Sequence, residues 1–506
     1  MKRKGWIGTL LALTMWITAC GGGGASGGEG QTETAPSASG DASGGEAYEV
    51  VYAYPIFTSV PADIQLVQDE INKISKAKIN VTVKLLPISF SAWTNQINLM
   101  MTSGEKLDML AMFDYSTQVA KGKLYPIGEI MDQHGKGIVE ALGEDYYNAT
   151  KVEGVSYGVP SIRDLAQDYG LKMRKDLVDK HGIDLSQVKT FEDHEKIFQV
   201  IKEKEPGMAA ITNMNGNSVL GTYSNRDSLG DDFGVLLNNG QTDLNVVNWF
   251  ASEEYKQQLL TLRKWYQAGY IYKDAAQNQE ADTAMIKSGK AFSAFSHMKP
   301  GYEVQESRLT GYEMVAVRTA PAVAKTSTVT NVMLGVSSNS ENPQKTLEFL
   351  NLMYTDRDII NLFDWGIEGK HYVKVEGQDN MIKYPDGVTG DNVGYAGYGW
   401  MHGNQFLSYV FEGDDPDVYK QQAEFNRNAV KSKALGFTFN AEPVKTEVAA
   451  ATAVLDQYRR GLESGVLDVE TVLPEFLKKL ENAGIQKIID EKQKQLNEWA
   501  KANGVQ

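Results

Sequence analysis

A single cysteine in 506 residues excludes an intramolecular disulfide, so the chain must hold its core by packing alone. Histidine is scarce as well. The six, at positions 134, 181, 194, 297, 371 and 402, are too scattered to suggest a metal cluster. Basic charge is in deficit, with 50 Lys and Arg against 65 Asp and Glu and a formal net charge of -15. That balance argues against nucleic acid, polyanionic ligands and adsorption to an anionic surface. Beyond the N-terminus no apolar stretch reaches eighteen residues, which leaves no further spanning helix. There is no H-E-x-x-H pair for a zinc hydrolase. Gly413 to Asp417 is acidic but lacks the alternating ligands and closing glutamate of an EF-hand loop. No cofactor is implied.

What is present begins at the N-terminus. Lys2, Arg3 and Lys4 precede an apolar run, Gly5 to Ala19, that is too short for a stable spanning helix and stops at Cys20. Ile17-Thr18-Ala19-Cys20 resembles a bacterial lipoprotein signal, with Ile where the pattern prefers Leu. The resemblance implies that Cys20 carries lipid; the alternative is an ordinary secretory signal with an incidental thiol. Residues 21–47 hold no aromatic and no basic group, and a Gly/Ser-rich segment of this kind is a disordered, flexible tether. Residues 1–19 are therefore a signal peptide and 20–47 a lipidated cysteine with its tether. About 460 residues remain, more than one core usually serves, so two lobes are expected.

Hydrophobic periodicity then predicts strand 49–54, helix 62–77, strand 80–86, helix 93–101 and strand 107–113. That alternation is the pattern of a mostly parallel sheet covered by helices. Further on, the spacing predicts a strand over 155–160, helices over 172–181, 190–205 and 248–268, and helix then strand over 280–295. A strand over 331–337 and a helix from Pro343 to Tyr354 follow, with Pro tolerated at a first helical position. The tail is helical over 444–461, 474–483 and 485–502, and Glu491, Lys492, Lys494 and Glu498 form a charged series on the last helix, read as its wet face with a partner helix as the alternative.

This order resembles an extracellular solute-binding lipoprotein of an ABC importer, in the sugar-binding branch related to maltose-binding protein. Gly154-Val-Ser-Tyr-Gly-Val-Pro160, Ile286 to Phe295 and Val332 to Leu350 carry the likeness. Lys172 to Leu177, Asn361 to Tyr372, Leu435 to Phe439 and Ala483 to Trp499 are similar to the Gram-positive LplA-type group, with its characteristic C-terminal region. The resemblance implies a two-lobed α/β fold of the periplasmic-binding-protein class II type, with a first lobe of 48–158 plus 330–365. The second lobe would hold 159–329 plus 366–506. It also implies a hinge, ligand-favoured closure, delivery to ABC importer permease subunits, and a monomer on the extracellular face of a Gram-positive-type cytoplasmic membrane.

A sugar cleft needs aromatic faces for pyranose C–H groups and convergent polar partners for hydroxyls, because an unpaired polar group in a closed cleft is costly. Asp364-Trp365-Gly366-Ile367-Glu368 offers both at a proposed crossing, with hinge packing for Trp365 and backbone capping for the carboxylates as competing roles. Tyr398 and Trp400 lie in an aromatic–glycine loop, alternatively a surface loop pinned by buried rings. Tyr54, Trp93 and Asp114 fall at or after predicted strand ends, where open α/β sheets bind ligands, and Trp93 also suits a plain helix-to-sheet contact. Arg163, Asp164 and Tyr223 are the second-lobe candidates. Arg163 or Lys370 would suit a uronate, although surface salt bridges explain both. Asp364 with Glu368 is the obvious pair for a glycosidase, but spacing alone establishes no catalytic geometry. The reading is an oligosaccharide-binding protein and not an enzyme. The alternatives are a binder of peptide or another small solute, a carbohydrate-active enzyme, and a surface adhesin.

Overall fold

The computed structural model describes residues 45–214 and 216–505. The signal segment, Cys20 and the tether up to residue 44 lie outside the described residues. The described residues from Ala47 onward form one unit with two main cores.

In the first lobe alternation sets the layers. Strand β1 (Tyr48–Ile56) is flanked by β2 (Val81–Ser89), whose Val81, Val83 and Leu85 are buried at every second position. Helix Ile64–Ile79 lays Val67 and Ile71 on that face. Pro55, expected to close the first strand, lies inside it, paired with Ile88. The sheet is completed by β3 (Met109–Met112), β4 (Gly158–Pro160) and, further along the chain, Met333–Val336.

The second lobe is built on β5 (Gln167–Arg174), β6 (Ala209–Thr212), β7 (Ala291–Met298) and β8 (Met314–Ala324). Residues 172–174, expected to open a helix, end β5 instead, and the helix is Lys175–His181. Numbering the return strand Met333–Val336 as β9, the first sheet has the order β2-β1-β3-β9-β4. A small sheet follows from β10 (Val373–Val375), β11 (Gln378–Lys383) and β12 (Val410–Phe411). The short β13 (Val430–Lys431) completes the second sheet in the order β13-β8-β5-β7-β6.

The sheets are mixed, and this corrects the mostly parallel expectation. β1 pairs parallel with β2 and β3, whereas β9 runs antiparallel to both β3 and β4. In the second sheet β5 is antiparallel to β7 and β8, and only β6–β7 and β13–β8 are parallel. The cause is the traffic between lobes. β4 leaves the first sheet and β9 re-enters it at the same end, so the two must run in opposite directions.

Residues 395–429, expected with the second lobe, contribute Tyr395, Met401 and Ala429 to the first core. The helices Lys445–Leu462, Val469–Ala483 and Ile485–Asn503 pack on the second, through Leu455, Phe476 and Ile488. That core also holds Trp265, 5.0 Å from the rings of both Phe191 and Phe198. Such ring pairs add about 0.5–1.5 kcal/mol each beyond the area they bury.

One polar group lies deep in the second lobe. Lys172 of β5 is almost wholly buried, with its Nζ 2.5 Å from Asp282 Oδ2 and 2.5 Å from Glu306 Oε2. Burial opposes its charge, but Tyr302 and the two carboxylates outweigh burial and raise its pKa. Removing the cation would strand two carboxylates in a dry site. Lys172→Met should therefore cost about 3–5 kcal/mol in urea unfolding, and a loss below about 1 kcal/mol would contradict a load shared by the three groups.

Candidate functional site

Strands β1, β2 and β3 are parallel, so their C-terminal ends share one edge, and each is followed at once by a phenylalanine: Phe57, Phe90 and Phe113. Phe57 lies 5.0 Å from Phe90 and 6.3 Å from Phe113. Tyr398 and Trp400 complete the cluster at 5.6 and 5.9 Å from Phe57. Tyr398 Oη accepts the Phe57 backbone N–H at 3.1 Å and meets Thr58 Oγ1 at 2.9 Å. Phe57 and Phe90 are 48% and 52% exposed, which a core role does not explain.

The loop that carries Tyr398 and Trp400 is clamped from behind. Gly397 lies so close to the helix Arg357–Trp365 that a Cβ there would stand 1.8 Å from Phe363 O, and one on Gly399 would stand 2.9 Å from Asp364 Oδ2. Tyr395 Oη donates to Phe363 O at 2.9 Å, and His402 shares a 2.9 Å hydrogen bond with Tyr52 of β1. Burial pushes His402 down to about 3, so its ring is neutral. Gly403 O accepts the Ile162 N–H at 2.7 Å, tying the loop to the first crossing between lobes.

Arg163 stands on that crossing with its guanidinium 5.7 Å from the Trp400 ring centroid and its Nε 2.7 Å from Asp164 Oδ1. Lys299 reaches the same oxygen at 3.2 Å. Burial works against the Asp164 carboxylate, but Lys299 and Arg163 outweigh it and hold its pKa low. A small concavity runs from Arg163 and Asp164 past Gln167, Thr328 and Asn331. The last three also line a larger concavity of about 240 Å³ with Tyr169, Ser224, Arg226 and Lys325. Lys325 is buried, donates to Arg226 O at 2.7 Å and stands 5.2 Å over Tyr169; burial pushes it down to about 8. An apolar edge, a charged crossing and a polar concavity thus follow one another.

Of the residues singled out in the sequence, the structure brings Arg163, Asp164, Tyr398 and Trp400 together here. Asp114 is exposed beside Phe113, where it accepts from Gln118 Nε2 at 2.7 Å. Tyr54, Trp93, Tyr223 and Trp365 take packing positions. Tyr54 is buried against Tyr52 and His402, Trp93 against Ile97 and Met100, and Tyr223 against Phe191 and Phe295. Trp365 stacks on Phe411 at 5.5 Å and donates its Nε1–H to Ser408 Oγ at 2.9 Å, which binds it to the small sheet. Glu368 is exposed near Lys374, and Lys370 pairs with Asp63 at 3.2 Å. Asp364 is buried beneath Gly399 and does not open on the cluster.

Sequence reading missed Phe57, Phe90, Phe113 and the Tyr169–Arg226–Lys325 wall. An aromatic residue directly after each of three parallel strands was the available signal for the first set. Gly154-Val-Ser-Tyr-Gly158 also fits the spacing of a serine nucleophile elbow. Its context does not fit: Ser156 is buried, precedes a strand instead of joining strand to helix, and donates to Gly158 O at 3.3 Å.

Residues 58–359 match the family model described as bacterial extracellular solute-binding protein, and residues 433–501 match a domain of unknown function, DUF3502. A carbohydrate ABC transporter substrate-binding protein of Streptococcus pneumoniae serotype 4 is 28% identical over 438 residues, covering 85% of this chain and 87% of that protein. Lipoprotein LipO of Bacillus subtilis is 24% identical over 399 residues, 74% of each. Among solved structures, the N-glycan transport solute binding protein NgtS of S. pneumoniae is 26% identical and superposes with a TM-score of 0.80 over 90% of this chain and 99% of that one. The same protein in complex with Man1GlcNAc, 26% identical, superposes at 0.71 over 89% and 99%.

The buried Asp364 has a measurable consequence. Burial, opposed only by the nearby Ser408 hydroxyl, pushes its carboxyl up to about 7 from the usual 3.8. A raised carboxyl contributes stability that is complete below the unfolded value and is lost as pH rises through about 7. Asp364→Asn should thus raise the melting temperature relative to the native chain more at pH 8 than at pH 4. An equal change at both values would contradict an ionisable group held neutral.

Proposed function

The chain belongs to the bacterial extracellular solute-binding protein family, and from that premise we infer that it captures an oligosaccharide between its lobes and delivers it to the permease of an ABC importer. It is a binding protein and not an enzyme. The observation that carries the reading is the open edge of Phe57, Phe90, Phe113, Tyr398 and Trp400 beside a polar concavity. Pyranose C–H faces stack on such rings, while hydroxyls find partners in Arg163, Gln167, Asn331 and Arg226. A carbohydrate name on the S. pneumoniae relative and an N-glycan name on NgtS support the substrate class.

Closure of the lobes would bring the polar wall over a sugar resting on the aromatic edge. Membership of the LplA-type group is a finer part of the proposal, supported by the residues that carry that likeness. So is lipid attachment at Cys20, for which the signal pattern and the likeness to a lipoprotein speak. A tethered receptor then works as a monomer at the outer face of the cytoplasmic membrane.

Two experiments test this. Calorimetry against a glycan panel, with analysis of the mixtures for cleavage, should find one oligosaccharide site and no product. Trp400→Ala should weaken that binding about tenfold or more, whereas Trp365→Ala should lower stability and leave affinity intact. Peptide binding without glycan binding would refute the assignment, and the reverse pattern of the two tryptophans would relocate the site. In cells fed labelled palmitate, Cys20→Ala should lose the label and release the protein into the medium. Retained label would refute the anchor.

A further inference from the structure

The segment Ser224 to Val247 supplies Ser224, Arg226 and Ser228 to the polar concavity, and it holds an unusual backbone. Three of the five non-glycine residues with positive φ among the described residues lie in it: Leu229 at 52°, Asn238 at 49° and Asn239 at 54°. A left-handed leucine persists only where its surroundings over-determine it. The segment's own bridges are few, Asp227 with Leu236 and Val235 with Val247.

Much of the remaining support comes from 433–501, the part of the chain that matches a domain of unknown function. Lys492, expected on the wet face of the last helix, is instead fully buried, because Asp231 Oδ1 at 2.6 Å from its Nζ and Gly234 O, which accepts from it at 3.0 Å, satisfy the ammonium inside the lobe. Beside it, Gln493 Oε1 accepts the Val246 N–H at 2.7 Å while its Nε2 donates to Leu244 O at 2.9 Å. The Lys433 N–H donates to Gly240 O at 2.8 Å. A chain of charge then runs to the cleft. Arg459 Nη2 lies 2.8 Å from Asp232 Oδ2, and Asp232 Oδ1 accepts from Arg226 Nη2 at 3.0 Å. Arg226 in turn lies over Trp249 at 4.5 Å and gives its carbonyl to Lys325. Behind Arg459, Glu463 accepts its Nε at 3.2 Å and the hydroxyl of Ser218 at 2.5 Å.

We propose that the C-terminal region 433–501 builds the second wall of the ligand cleft, with Lys492 and Arg459 as positioning residues that hold segment 224–247, and through it Arg226, in its ligand-facing form. This rests on the cleft reading given above. The region acts without touching the sugar: it fixes the wall that does. Arg226 held by Asp232 presents a set guanidinium edge, and a wall free to relax would spend binding energy on ordering itself.

The test uses the full chain with Lys492→Met, Arg459→Met and Arg459→Lys, and Lys487→Met as the control that breaks an ion pair with Glu447 inside the same region. Hydrogen exchange should accelerate at least tenfold at amides of 224–247 in the two Met variants, leaving β1 and β5 unchanged. The affinity for the glycan selected by the native chain on a glycan array should fall about tenfold. Arg459→Lys should recover part of it, and Lys487→Met should alter neither readout. If Lys492→Met does not fold, Gln493→Ala, which removes the two bonds to Val246 and Leu244, takes its place. Unchanged exchange over 224–247 would overturn the clamp, and a loosened segment with unchanged affinity would overturn its role in the wall. A native chain that selects no glycan would refute the oligosaccharide reading, and exchange would still decide the clamp.

Discussion

β1, β2 and β3 end, β4 departs and β9 arrives along a single edge of the first sheet, and the geometry of the site follows from that shared edge. Three rings placed directly after three parallel strands necessarily project side by side. The crossings leave from the same line, so Arg163 and Asp164 stand next to Trp400 without any long loop to carry them. The constraint also sets strand direction: a strand that enters where its neighbours end must run against them. One edge carries the crossings, the apolar rings and the charged pair of Arg163 and Asp164.

Charge is buried where it fixes that geometry. Asp164 holds Arg163 and Lys299 together at the first crossing between lobes, and Asp232 holds Arg226 and Arg459 together in the second lobe. Burial draws the carboxylates of both pairs toward their neutral forms, and the paired cations reverse the shift; Asp232 ends at about 2. Such pairs add little net stability over an apolar replacement, but losing one partner is expensive, so they lock direction. A cleft that must recognise hydroxyls needs that directional order more than it needs extra stability.

The first lobe was legible because its strands alternate and its helices keep helical spacing. Val81, Val83 and Leu85 with Val67 and Ile71 report both periods directly. The mixed sheets were not legible, since strand direction depends on crossings that no local period records. Lys172 misled for a related reason: the helix expected from residue 172 begins only at Lys175, and the distant Asp282 and Glu306 make Lys172 a buried strand residue. Aromatic residues showed the same limit. Trp365 and Trp400 have similar glycine-rich neighbourhoods, yet Ser408 and Phe411 capture the first while Phe57 and Arg163 leave the second at the open edge. Phe57, Phe90 and Phe113 escaped notice because each is ordinary by itself, and parallel pairing alone makes them a surface.

A sugar resting on this edge would be gripped from the opposite wall. A crystal structure of the chain with its selected oligosaccharide is the direct measurement. A pyranose ring should lie against Trp400 or Phe57, with hydroxyls within hydrogen-bond distance of Arg163 and of the Arg226 wall. A sugar bound at Trp365 and the small sheet, with the Phe57 edge bare, would contradict it.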